Sequence, residues 1–225
     1  MQSVILRIAL YAANFLAILL IIPIHEFAHA FVAVKCGDPT PKLYGRYTLN
    51  PFAHFDPLGF LMMALFRFGW AKPVPVNPNN FRNYKKGCVL VSIAGVTANI
   101  ILAVLLCPLA LIADKLIIPA EWAFYLNAFI YYFLQSLFYL NIGLFIFNLL
   151  PFYPLDGFRL IDALTVKRGR FYYFLRTKGI FVFLAIILLD FIAELTGIYY
   201  INILNVAIDY ASWPIEKLWR LILGL

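Results

Sequence analysis

The chain has 225 residues, 64% of them hydrophobic and 13% charged, with a formal net charge of +7 and a mean hydropathy of +0.87. Such a composition excludes an ordinary water-soluble domain and indicates a polytopic membrane protein. The positive balance then reports which loops face the cytoplasm and gives no reason to expect nucleic acid as a partner.

Residues 4–34 form an apolar segment long enough to cross a bilayer with tilt, and Pro23 is expected to kink it. No stretch has the form of a cleavable signal peptide, so this first helix is expected to stay. Gly37, Pro39, Pro41, Gly45, Pro51 and Pro57 then exclude a continuous helix, and residues 43–49 read as a short strand. The next apolar run, 58–70, has 13 residues. As a helix it would measure about 20 Å against about 30 Å of hydrocarbon, so a re-entrant or buried segment is expected. Pro73 and Pro75 make 69–76 extended. Residues 87–113 are the second span, with a small-residue face at Ser92, Ala94, Gly95, Ala98 and Asn99, and 122–150 are the third. Pro151, Pro154 and Gly157 break the backbone around Asn148 and Asp156 before a helix restarts over 158–166. Residues 179–197 and 198–213 read as two further spans, and Asn202, Asn205 and Asp209 share a face expected to point into the bundle or toward a partner. Residues 214–225 read as an amphipathic helix in the membrane interface.

The fold class expected is therefore an all-α polytopic membrane protein. It has about five transmembrane helices, a re-entrant or short extended (β) segment within 40–80 and an interfacial C-terminal helix. Residues 1–165 form the core and 166–225 add helices. The cysteines Cys36, Cys88 and Cys107 share no metal-type spacing and read as packing residues. Lys and Arg number eight in residues 35–86 and six in 151–178, which puts both segments on the cytoplasmic side of a prokaryotic plasma membrane. The tail, with Lys217 and Arg220, is expected to end on that side too.

The chemistry centres on His25-Glu26-Phe27-Ala28-His29 inside the first span. Residues four apart share a helix face, so the two imidazoles can take two corners of a tetrahedral zinc (Zn2+), with Glu26 beside them to handle a proton. Ionisable groups at membrane depth are costly unless functional. Candidates for a third ligand are Asp156, His54 and Asp56. Asp156 is favoured, because the charge count brings the ends of the first and third spans to similar depth. Asn148 is the best side-chain amide to hold a substrate backbone or an oxyanion, against the plainer reading of a helix cap. Asn99 is a weaker candidate, more simply a helix-to-helix hydrogen bond. His54 is either hydrogen-bonded to loop backbone or placed behind the ligands or on the substrate side.

The pair His25-Glu-Phe-Ala-His29 and Asn148-x-x-Pro-x-x-Pro-Leu-Asp156-Gly157 resembles the two signatures of the site-2 protease family, the intramembrane zinc metalloproteases of peptidase family M50. Residues 49–59, 69–76 and 92–99 resemble its small prokaryotic branch, and no PDZ or CBS module is seen. Val96 departs from the family, which usually has Pro there. The resemblance implies His25, His29 and Asp156 as zinc ligands, Glu26 as the acid/base acting on water, and Asn148 in assistance. It also implies a substrate that is a transmembrane segment of another protein. Such a segment must unwind to be cut, and residues 43–76 are expected to pair with it as an added strand. The alternatives are an inactive membrane scaffold and a metal transporter using the same ligands. Oligomeric state is not legible.

Overall fold

The computed structural model describes residues 2–59, 69–116, 118–120, 123–198 and 202–225. Eight helices organise them: α1 (Gln2–Cys36), α2 (Thr40–Leu43), α3 (Tyr84–Leu111), α4 (Phe124–Leu149), α5 (Asp156–Leu164), α6 (Arg170–Thr177), α7 (Gly179–Thr196) and α8 (Ile203–Leu223). No strand occurs among the described residues. The strand expected over 43–49 is absent: α2 ends at Leu43, and residues 44–48 turn and bend, with the Gly45 and Arg46 amides donating back to the Lys42 and Pro41 carbonyls and Gly45 at positive φ. The re-entrant segment expected at 58–70 lies largely outside the described residues.

Helices α1, α3 and α4 pack against one another and are long and apolar enough to cross a membrane. Their contacts are built from small residues. Ala13, Ala17, Ala30, Ala33, Ala94 and Ala103 are buried, while the larger Ile8, Phe15, Leu20 and Leu105 stay exposed. That inversion of a soluble core is what lipid as solvent produces: backbones approach closely and bulky chains face the acyl phase. One further apolar helix, 179–193, is shorter.

Helix α8 corrects the reading of the tail. Pro214 lies inside it, so the fifth span and the interfacial helix are one element. Tyr210, whose carbonyl loses its partner to Pro214, is exposed, as is Pro214 itself. Asn202 is buried as the N-cap, accepting from the Asn205 amide at 3.2 Å, while Asn205 and Asp209 are exposed, so of the two directions expected for this face the bundle interior is not taken by them. The C-terminal half of α8 does not return to the basic loops. Trp219 Nε1–H donates to the Val104 carbonyl at 2.8 Å, Tyr139 donates to Glu216 at 3.0 Å, and Arg220 lines a cavity with Leu111 and Asp114. Those partners lie toward the C-terminal end of α3 and beyond it, away from the half that carries Val91, Gly95 and Asn99.

Candidate metal centre

Helix α1 presents His25 and His29 one turn apart, both buried, and α5 presents Asp156 from its first turn, also buried. Asp156 Oδ2 stands 3.3 Å from His25 Nε2 and 3.0 Å from His29 Nε2, and the two Nε2 atoms are 3.1 Å apart. Three donors from two distant parts of the chain thus form a nearly equilateral triangle.

The surrounding bonds fix what each donor offers. His29 Nδ1 lies 2.7 Å from the Val91 carbonyl, which can only accept, so Nδ1 carries the proton. His25 is fixed through a relay. Asn141 Nδ2 donates to the Leu137 carbonyl at 2.7 Å, which leaves Asn141 Oδ1 to accept from Asn99 Nδ2 at 2.9 Å. Asn99 Oδ1 therefore faces His25 Nδ1, at 2.6 Å, and that nitrogen is protonated too. In the neutral rings both Nε2 atoms present bare lone pairs to each other and to a carboxylate oxygen. Asp156 Oδ2 is buried and has no hydrogen-bond partner among the described residues. A cluster of converging lone pairs is unfavourable unless a cation joins them.

A zinc ion fits that requirement. Donors about 2.0–2.1 Å from a tetrahedral ion stand roughly 3.4 Å apart, close to the observed edges. The ligand atoms are imidazole and carboxylate, the set zinc favours. Space is kept by Gly95, where an added Cβ would fall 2.4 Å from His25 Cε1 and 2.5 Å from both Nε2 atoms. Gly157 serves the same end from α5. A Cβ there would meet the Leu149 carbonyl oxygen at 2.3 Å, so glycine lets the start of α5 approach the end of α4. Arg159 Nη1 lies 3.7 Å from Asp156 Oδ1.

Glu26 is half-buried beside the pair, and its Oε2 accepts from the Val74 amide at 3.1 Å. The proline-punctuated stretch is thereby held against the carboxylate. Its backbone is anchored at both flanks: the Lys72 amide donates to the His54 carbonyl at 2.9 Å, and the Asn77 amide donates to Asp38 Oδ2 at 2.7 Å. His54 is buried away from the triangle, with Nε2–H donating to the Thr48 carbonyl at 2.9 Å. Its Nδ1 has no partner among the described residues. Asp56 accepts from the Gly59 amide at 2.8 Å and stays in its own turn. Asn148 is turned onto its own helix, where Nδ2 donates to the Leu144 carbonyl at 3.1 Å. Asn99 makes the helix-to-helix hydrogen bonds of its plainer reading, to His25 on α1 and Asn141 on α4, and through the first it supports a ring of the cluster directly. Asn141, the Val91 carbonyl and the Val74 amide escaped the sequence reading. Asn141 is one helical face from Asn148 at i−7, and a polar side chain in so apolar a helix was the available signal.

Fold and site together define a helical membrane protein with a buried two-histidine, one-carboxylate cluster. The profile of Peptidase family M50 matches residues 115–190, which include Asp156. "Putative zinc metalloprotease YwhC" of Bacillus subtilis is 45% identical over 142 residues, covering 62% of this chain and 63% of the relative. "Putative zinc metalloprotease Rip2" of Mycolicibacterium smegmatis is 31% identical over 144 residues, covering 62% of this chain and 52% of the relative. Its namesake in Mycobacterium tuberculosis is 31% identical over 143 residues with the same coverages, 62% and 52%. The matches thus span from about half to under two thirds of these relatives. No solved structure matches the chain. The chain is thus similar to peptidase family M50 over residues 115–190 and to these relatives over about 142 residues.

Proposed function

We propose that this protein is a zinc-dependent endopeptidase that cuts transmembrane segments of other membrane proteins, with His25, His29 and Asp156 as the metal ligands. The observation that carries the reading is the triangle of bare donors beside a carboxylate. When bound, zinc supplies Lewis acidity, polarising the scissile carbonyl and lowering the pKa of a water. Glu26 takes the proton from the attacking water and delivers it to the leaving amine. The Val74 amide occupies one carboxylate oxygen and orients the other. Asn99 and the Val91 carbonyl hold the imidazoles in the tautomer that exposes Nε2. The names of the relatives, zinc metalloproteases, support the class of reaction. Asn148 serves the substrate only by giving up its bond to Leu144, which is the form its assisting role takes here.

The active site faces the cytoplasmic side, since the loops rich in Lys and Arg lie at the ends of the spans nearest the cluster. In this arrangement residues 1–165 supply the chemistry, and an unwound substrate lies along the 69–76 backbone. Glu26→Gln tests the mechanism: the variant should retain zinc at wild-type stoichiometry and lose cleavage of a labelled transmembrane peptide. His25→Ala should lose the metal. Cleavage surviving in Glu26→Gln overturns the assignment of the base, and full zinc in His25→Ala overturns the site.

A further inference from the structure

A cavity of about 400 Å³ opens between the last turns of α1 and the first turns of α3. Phe31, Val32 and Leu90 form its apolar wall, and Lys35, Arg82 and Lys86 stand at its rim. No carboxylate is among the described residues that line it. The rim is fixed by backbone: the Arg82 amide donates to the Cys36 carbonyl at 2.9 Å, tying the end of α1 to the approach to α3. The Lys35 ammonium lies 5.5 Å from the Phe31 ring centre, so its charge is held over the apolar wall.

Position along the two helices sorts the lining by depth. Phe31 is one turn inside Lys35 on α1, and Leu90 is one turn inside Lys86 on α3. Both helices are membrane-spanning by length and composition and reach their ends at this level. The cations therefore sit where the bilayer surface passes, and the apolar wall faces the hydrocarbon. Phe31 and Leu90 are 41% and 37% exposed there. Three like charges around one mouth repel one another, and an anion with an apolar continuation relieves that repulsion while covering the wall.

We propose that this cavity binds an anionic phospholipid, its phosphate between Lys35, Arg82 and Lys86 and an acyl chain along Phe31 and Leu90. The site is separate from the metal centre, although α1 and α3 carry both. The proposal rests on the membrane-spanning reading of these helices and not on proteolysis, so its failure would leave the protease reading standing.

The test uses the purified full chain in zwitterionic detergent, titrated with phosphatidylglycerol or phosphatidylcholine, with bound lipid counted by native mass spectrometry. Phosphatidylglycerol should bind and phosphatidylcholine should not. Neutralising the rim in Lys35→Gln/Arg82→Gln/Lys86→Gln should weaken binding about 5-fold per charge, roughly 100-fold in all. Removing three cations elsewhere, in Lys167→Gln/Arg170→Gln/Lys178→Gln, should leave it unchanged. Equal weakening by both triple variants, or wild-type binding by the rim variant, overturns the site. Inorganic phosphate should fail to displace the lipid; displacement would assign the cavity to a free phosphate instead. Should the rim variant not fold, a photoreactive phosphatidylglycerol on the wild-type chain decides. Label on 31–36 and 82–90 supports the site, and label confined to other segments overturns it.

Discussion

Gly95→Ala brings one methyl carbon into the donor triangle. Built on the α3 backbone, that Cβ falls 2.5 Å from His25 Nε2 and from His29 Nε2, whereas ordinary contact begins at 3.4 Å. Relief therefore requires movement of roughly 0.9 Å, the difference between those two distances. Zinc ligands keep their distances within about 0.2 Å, so a shift of that size takes the imidazoles out of reach. The rings have little freedom to yield, since moving them stretches the bonds from His25 Nδ1 to Asn99 and from His29 Nδ1 to the Val91 carbonyl. Alanine adds up to about 1 kcal/mol of helix propensity, and overpacking costs about 1–3 kcal/mol, so global stability should change little or fall slightly. Zinc affinity should fall by at least the order of 10–100-fold seen when ligand orientation is lost. Titration against a competing chelator measures it. Gly87→Ala is the control: its Cβ would meet the Phe81 ring at 2.4 Å, an equally severe clash away from the cluster, so stability should drop while zinc affinity holds. Wild-type zinc affinity in Gly95→Ala would show that the metal does not sit where the three donors converge.

Asn99→Leu should weaken zinc binding on the order of 10–100-fold, because His25 Nδ1 loses its acceptor, while Asn141→Leu should do less, since Asn99 still faces the ring; the reverse order in a chelator titration refutes the relay. Burial pushes the Asp38 carboxyl up, yet hydrogen bonds from Thr40, Asn80 and Asn77 outweigh it and hold the group below the usual carboxylate range. Its stabilising contribution is thus complete above an unfolded value of about 3.9 and disappears as pH falls through the lower folded value. Melting temperature against pH should have a shallower acid limb in Asp38→Asn, and superimposable limbs would refute the assignment. Trp219→Phe should cost about 1 kcal/mol through the lost bond to the Val104 carbonyl, read as a lower melting temperature with unchanged zinc content.

The three central donors were legible because helical spacing sets His25 and His29 on one face and the loop charges bring Asp156 to their depth. What supports them was not. Gly95 stands in a row of small residues whose simplest explanation is helix contact, and nothing local tells that its missing side chain faces imidazoles. The Val91 carbonyl and Val74 amide are main-chain groups and leave no mark on composition. Asn99 and Asn141 are 42 residues apart, and only the packing of α3 on α4 makes them partners. Around 43–49 the expected strand gave way to a turn, because the Gly45 and Arg46 amides bond back to the Lys42 and Pro41 carbonyls and Gly45 takes a positive φ. At Pro214 a helix breaker was read as an end, but the helix continues through it, with Tyr210 and Pro214 both on its exposed side.

The hydrogen-bond relay from the Leu137 carbonyl through Asn141 and Asn99 to His25 joins α4, α3 and α1 in one line. The two links between helices, Asn141 to Asn99 and Asn99 to His25, require α4, α3 and α1 to be in register, and the outcome is the orientation of a single nitrogen. Under the proposed function, the orientation of His25 toward the ion is set by the docking of all three helices, so ligand geometry and helix packing are one and the same property of the bundle.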